Sequence, residues 1–248
     1  MNLMNRKRDL PKTYNVRDMG GYQSKDGRPT QWKRLLRADN LHRLTPESVR
    51  ALKADGVTTV IDLRFSTELE ATPNPFAHEN GVAYHHIPLI ESADNASHEV
   101  LKNGPCESAW NIAILEGWTG NVVRALTTIA DAPPGTVLFH CHAGKDRTGL
   151  IGLLALGAFG VSDTDLVADY MESNKNLEPI FEEIRLNWGA TPETRAQIDL
   201  RLYGQPEMVT GTLAYIRNRH GSVARYIKAL GLTDDQMKAL VNRLLETP

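Results

Sequence analysis

The chain has 248 residues, which suits one large α/β core with an added helical portion. Its 28 Lys and Arg set against 30 Asp and Glu leave a net charge of −2, so bulk attraction to nucleic acid or acidic lipid is not expected and any phosphate recognition must be local. Two cysteines, Cys106 and Cys141, exclude a disulfide framework and fit a reducing compartment.

Met1 to Leu10 carries Arg6, Lys7 and Arg8 with no apolar stretch behind them, so no secretory signal is expected. From Asn15 to Leu36, Gly20-Gly21 and Asp26-Gly27 punctuate two short segments and predict a hairpin packed at a sheet edge. Thr45-Pro46-Glu47 opens a helix with a hydroxyl cap and an early proline, Val49 and Leu52 supply its apolar face, and Gly56 stops it. The β-branched run Val57 to Leu63 reads as a strand, Ser66 to Glu70 as one or two helical turns, and Val82 to Leu89 as a second strand. Glu91 to Pro105 reads as a loop. Helical spacing runs from Glu107 to Ala130 with Val122, Val123, Leu126 and Ile129 on one face, and Pro133-Pro134-Gly135 precedes a strand from Thr136 to Cys141.

The longest nearly apolar run, Gly149 to Val161, is too short to span a bilayer and reads as a buried core helix. Beyond it, Ser162 with Asp165, Thr191-Pro192-Glu193, Ser222, and Thr233 with Gln236 each resemble helix caps, with no strand signal between them. The fold expected is therefore α/β: a mainly parallel central sheet flanked by helices, with a helical C-terminal portion. No repeat interrupts it, so 1–248 reads as a single domain and 162–220 as a helical insertion or lid within it. A cytoplasmic location, with no integral membrane segment and no nucleic-acid partner, is the expectation.

The informative stretch is His140-Cys141-His142-Ala143-Gly144-Lys145-Asp146-Arg147-Thr148-Gly149, between a buried strand and an apolar helix. It fits C-x5-R-[ST]. A short strand-to-helix loop turns several N–H groups inward, and with the positive end of the helix dipole it forms a seat for a tetrahedral anion, made by His142 to Arg147. Cys141 stands at the floor of that seat, where the surroundings favour a thiolate nucleophile. Arg147 returns to the rim with a planar fork suited to two phosphate oxygens at once. Gly144 can take a positive φ, and Thr148 can offer its hydroxyl to the sulfur. The leaving oxygen needs a proton, and Asp146 in the loop competes for that role with Asp94 in the loop after the second strand; Asp146 is favoured.

An arginine six places after a cysteine arises by chance in roughly one such chain in ten. The glycine, the threonine and the strand-helix context carry the argument further. Gly144-Lys145 is followed by Asp146, and no glycine stands five positions earlier, so a nucleotide-binding P-loop is excluded. A rhodanese-like sulfurtransferase and a non-catalytic phosphate-binding module also use such a cradle and stand as alternatives. His85 and His86, adjacent on a strand, face opposite sides, and neither a metal nor a cofactor is expected. His140 is expected to be buried and hydrogen-bonded, Cys106 to be a packing or exposed thiol, and Arg17, Asp18, Arg37, Asp39, Asp62 and Arg64 to form buried ion pairs around the loop. Structural support is the role expected for most of these, and Arg64, following a strand end on the active-site side, is the best candidate either to support the loop from behind or to contact substrate.

The string His140 to Gly149 resembles the signature of cysteine-dependent protein tyrosine phosphatases, in the bacterial form found in secreted mycobacterial and Listeria enzymes. The similarity extends to Asn15-Val16-Arg17-Asp18-Met19-Gly20-Gly21-Tyr22, to Leu36-Arg37-Ala38-Asp39-Asn40-Leu41, to Ile61-Asp62-Leu63-Arg64 and to Gly221 through Leu232. The resemblance implies hydrolysis of phosphotyrosine in a phosphorylated protein, with phosphoserine, phosphothreonine or a phosphoinositide as further substrates, through a phosphocysteine intermediate. It implies Cys141 as nucleophile, Arg147 as phosphate clamp and Asp146 as acid. Lys145 matches a lysine of phosphatase-and-tensin type lipid phosphatases, while His142 replaces another.

Overall fold

A computed structural model describes residues 6–90 and 108–247. Its sheet has five strands in the order β1 (Arg17–Asp18), β2 (Leu35–Ala38), β5 (Thr136–His140), β3 (Val57–Asp62) and β4 (Ala83–His86). β1 runs antiparallel to β2, and the other neighbours are parallel. The expected hairpin exists at one edge, where β1 closes the sheet, and β2 lies one place further in. The anticipated second strand is shorter than its alternating pattern: β4 is the opposite edge, and beyond His86 only the Ile87 and Leu89 amides still donate to Asp62 O and Leu63 O before the chain bends at Leu89 and Ile90.

Side chains alternate across the sheet with the two-residue period of extended backbone. Leu36, Val60 and Leu138 enter one core with Val49 and Leu52 of α1 (Pro46–Ala54), whereas Leu35, Ile61, Val137 and Phe139 enter a larger core on the other face. Helices cover that larger face. After α2 (Ser66–Ala71), the predicted single helix over 107–130 is two, α3 (Ser108–Gly117) and α4 (Thr119–Asp131). Both bury apolar residues, so the hydrophobic spacing carries across the Trp118 break and hides it in the sequence.

α5 (Asp146–Gly157) is buried from Arg147 through Leu156, as its unbroken apolar run requires. Its glycines permit close approach: a Cβ on Gly152 would stand 2.9 Å from Met19 and one on Gly157 3.1 Å from Val223. α6 (Asp163–Leu177) is capped by Ser162, α10 (Val223–Ala229) by Ser222, and α11 (Asp234–Leu244) by a Thr233/Gln236 capping box, all as expected. Thr191 differs. It exchanges turn hydrogen bonds with Thr194, and α8 (Arg195–Leu202) begins after that turn, with α7 (Phe181–Asn187) before it. α9 (Pro206–His220) completes the 162–220 stretch and ends at Gly221, where φ is +77°. No helix among the described residues is long and apolar enough to cross a membrane.

Candidate active site

The ends of β2, β5 and β3 come level, with Ala38 and Asp62 both registered on His140. Such a carboxyl edge of parallel strands is where an open α/β sheet offers a crevice. The chain leaves β5 there as the loop 141–145 and enters α5, so the cysteine motif occupies the edge of the sheet from its central strand. Cys141 is 2% exposed at the base of a cleft of about 390 Å³. His142, Ala143, Lys145, Asp146 and Arg147 line the same cleft.

The loop's shape follows from where its carbonyls go. His140 Nδ1 donates to Cys141 O at 3.0 Å, and its Nε2 lies 2.8 Å from the Asn74 amide nitrogen and 3.3 Å from Asp62 Oδ2. His142 O accepts from Asn40 N at 2.8 Å. Asn15 Nδ2 donates to Ala143 O at 3.0 Å and to Gly144 O at 3.1 Å. Arg37 Nη2 donates to Gly144 O at 2.7 Å and to Lys145 O at 3.1 Å. Every carbonyl from Cys141 to Lys145 is thus taken by a donor outside the cleft, which is the arrangement that lets amides face an anion. Gly144 makes the reversal possible: its φ is +64°, and a Cβ there would lie 2.3 Å from Ala38 O.

Arg147, in the first turn of α5, is 8% exposed. Glu68 of α2 accepts two hydrogen bonds from its guanidinium, at 2.5 Å and 3.0 Å, and the Phe65 ring lies 4.7 Å below it. Burial works against the arginine's charge, but the facing Cys141, Glu68 and Asp146 together hold its proton more firmly than usual. Glu68 is held below the ordinary carboxylate range: burial would raise it, and Arg147, with help from the Phe65 amide and His142, more than offsets this. Asp146 Oδ1 accepts from Tyr170 OH at 2.8 Å and lies 3.7 Å from Lys145 Nζ. The Lys145 ammonium donates to Arg201 O at 2.9 Å and Leu202 O at 2.7 Å, tying the loop to the end of α8. Thr148 Oγ1 is buried with no hydrogen-bond partner among the described residues.

The walls are apolar and aromatic: Phe65, Trp110, Phe181, Ile184, Trp188 and Leu202. Arg64, read from the sequence as either a supporting residue or a substrate contact, does not line the cleft and stands behind it as support. It is fully buried and donates to Asp62 and to Thr72. Asp62 is held far below its usual range, because His140 and Arg64 outweigh the burial that would raise it. Asp39 makes no salt bridge among the described residues: it accepts from Tyr14 N and Asn15 N, both at 3.0 Å, and its burial raises its pKa. Asp94 and Cys106 lie outside the described residues. The sequence reading missed Glu68, Asn15 and Tyr170 as neighbours of the motif. Asn15 was marked only by the resemblance of its own string, and nothing in the sequence marks Glu68, 79 residues from Arg147.

Residues 8–246 match the model of a family described as the tyrosine phosphatase family. A tyrosine-protein phosphatase of Nostoc commune is 30% identical over 219 residues, covering 85% of this chain and 74% of its own length. The triple specificity protein phosphatase PtpB of Mycobacterium tuberculosis is 28% identical over 278 residues, covering 96% of this chain and 97% of its own. With the match spanning the strand, the cysteine loop and the helices that fasten it, the chain belongs to the tyrosine phosphatase family and is a phosphoric monoester hydrolase.

Proposed function

We propose that this phosphatase works through a phosphocysteine intermediate formed on Cys141, with phosphotyrosine as its first substrate. One observation carries the reading: the Cys141 sulfur and the Arg147 guanidinium share the floor of a cleft whose loop carbonyls all turn away from it. The thiolate attacks phosphorus, an S–P bond forms and the bond to the tyrosyl oxygen breaks. Asp146 gives its proton to that oxygen. Water then attacks phosphorus, Asp146 takes a proton back, and the S–P electrons return to sulfur, which Thr148 steadies with its otherwise unpartnered hydroxyl. Arg147 spans two equatorial oxygens and holds them more tightly as charge spreads in the transition state. His142, Ala143, Gly144, Lys145 and Asp146 supply the surrounding amides.

The aromatic walls suit a phenyl ring above the phosphate. In this reading the whole chain acts as one phosphatase domain, and the 162–220 stretch covers the cleft with Phe181, Ile184, Trp188 and Leu202. The decisive experiment is a rate panel of phosphotyrosine peptide, phosphoserine peptide and phosphoinositides, with Cys141→Ser as blank. Phosphate release from the tyrosyl peptide that vanishes in Cys141→Ser is the expected result. Retained turnover in that variant refutes the mechanism, and a faster rate on phosphoinositide than on the peptide refutes the substrate assignment.

A further inference from the structure

Helix α6 lies behind the cysteine loop and contributes no described atom to the cleft except Leu177 at its end. It nevertheless presents a buried polar stripe, Asp169, Ser173 and Asn176, at the i, i+4, i+7 spacing of one helix face. A polar stripe inside a core is costly unless every group is satisfied, so its partners are informative. Asp169 Oδ1 lies 3.2 Å from Arg17 Nε and accepts from Tyr22 OH at 3.2 Å, while Oδ2 accepts from Arg37 Nη1. Ser173 Oγ accepts from Arg17 Nη2 at 3.1 Å, and Asn176 donates to Asn15 Oδ1 at 3.3 Å.

The stripe therefore grips the very side chains that reach the loop. Arg37 spans from Asp169 to the carbonyls of Gly144 and Lys145, and Asn15 spans from Arg17 and Asn176 to the carbonyls of Ala143 and Gly144. Both arginines are fully buried, so Asp169 answers two enclosed cations, with Glu172 adding only a 3.9 Å contact to Arg17, and neither guanidinium has water to fall back on. Arg37 is thus fixed at one end by Asp169 and presents its other end to the loop.

We propose that Asp169 is a positioning residue for phosphate transfer: through Arg37 it holds the Gly144 and Lys145 carbonyls outward, and so keeps the loop amides aimed at the phosphate. This inference rests on the phosphatase reading of the site. It goes further by locating the support of the anion seat in a helix that never meets the substrate. A misaimed cradle costs transition-state binding more than substrate binding, because the amides and Arg147 gain most where charge spreads.

The test is Asp169→Asn, nearly isosteric, measured with p-nitrophenyl phosphate and with vanadate as the transition-state probe, alongside circular dichroism. The expected result is folded protein with kcat lowered about 10- to 100-fold, vanadate Kd raised by a similar factor and KM changed less than about threefold. Arg37→Lys keeps a cation against Asp169 but cannot span to two carbonyls, and the same pattern is expected. The double variant should lose no more than the worse single, since both act through one contact.

A folded Asp169→Asn or Arg37→Lys with wild-type kcat and vanadate affinity overturns the inference, as does a fully additive double variant. If Asp169→Asn does not fold, Arg37→Lys decides by the same criteria. Wild-type protein that turns over no phosphate ester removes the phosphatase reading itself, and the inference with it. Active wild type with an unaffected Asp169→Asn removes only the inference.

Discussion

Replacing Gly144 by alanine tests the geometry of the cysteine loop at its tightest point. The added Cβ would stand 2.3 Å from Ala38 O, 2.5 Å from Ala38 C and 2.6 Å from Asp39 N. All three are backbone atoms, so no side chain can swing aside. Ordinary contact needs 3.4 Å or more, so the loop and the end of β2 must part by about 1 Å. The His142 O to Asn40 N hydrogen bond joins the same two segments and resists that movement. Holding alanine at φ +64° costs about 1–2 kcal/mol, and overpacking costs about 1–3 kcal/mol, or about 2–5 kcal/mol in all.

If the loop stays in place, that cost appears as stability. At about 2–4 °C per kcal/mol for a chain of this size, Tm should fall by roughly 4–20 °C. If the loop moves instead, the amides leave their positions and each 1.36 kcal/mol of lost transition-state binding is about tenfold in rate. Thermal unfolding with and without vanadate, together with kcat on p-nitrophenyl phosphate, reads both routes. A Gly144→Ala protein within about 1 °C and twofold of wild type on both measures would falsify the close approach described here.

Asp146→Asn should slow a phosphotyrosine peptide by about 10²- to 10⁴-fold while slowing an activated aryl phosphate far less, because only the poor leaving group depends on a donated proton. Equal losses on both substrates would remove Asp146 as the acid. Lys145→Met withdraws the ammonium from the carbonyls of Arg201 and Leu202, so trypsin should cut between Arg185 and Arg201 several-fold faster; an unchanged digestion rate would show that this tie does not hold α8. The buried Asp169 should shape the acid limb of the stability curve. Burial would raise its pKa, but Arg37 and Arg17 hold it down to about 2 against an ordinary 3.8. A depressed folded-state pKa contributes stability above about pH 3.8 that is lost as pH falls toward 2. Urea midpoints should therefore fall more steeply with acid in wild type than in Asp169→Asn over that window, and parallel curves would refute the pairing.

What the sequence disclosed follows the range over which each signal acts. The cysteine, the glycine and the arginine of the loop lie within seven residues, so a local string carries the cradle and the helix that follows it. Caps at Ser162, Ser222 and Thr233 are likewise short-range, and they stand where the pattern puts them. Thr191 shows the limit of such patterns, since a hydroxyl, a proline and a carboxylate satisfy a turn as readily as a helix start.

Charged partners were the least legible part. Arg17 and Arg37 announce themselves as arginines in an apolar setting, but Coulomb attraction has no sequence period. Their shared carboxylate, Asp169, lies 132 residues from Arg37. Asp39, nearer in sequence, serves backbone amides instead, and Asp18 accepts from the Gly20 and Lys33 amides while facing Arg8 at 3.7 Å. Asp62 with Arg64 is the pairing that sequence proximity does foretell, because two residues at a strand end fold back on each other.

The separation of floor from walls bears on how such an enzyme changes its diet. Trp110, Phe181, Ile184 and Trp188 shape the mouth from α3, from α7 and from the residue that follows α7; none of their side chains hydrogen-bonds a described residue of the cysteine loop, which meets them only where Ala143 packs against the cluster that holds Phe181. Mutational drift or a directed library can therefore reshape what is admitted there while the reacting machinery stays intact. Selectivity and chemistry can be tuned on this scaffold as nearly independent traits.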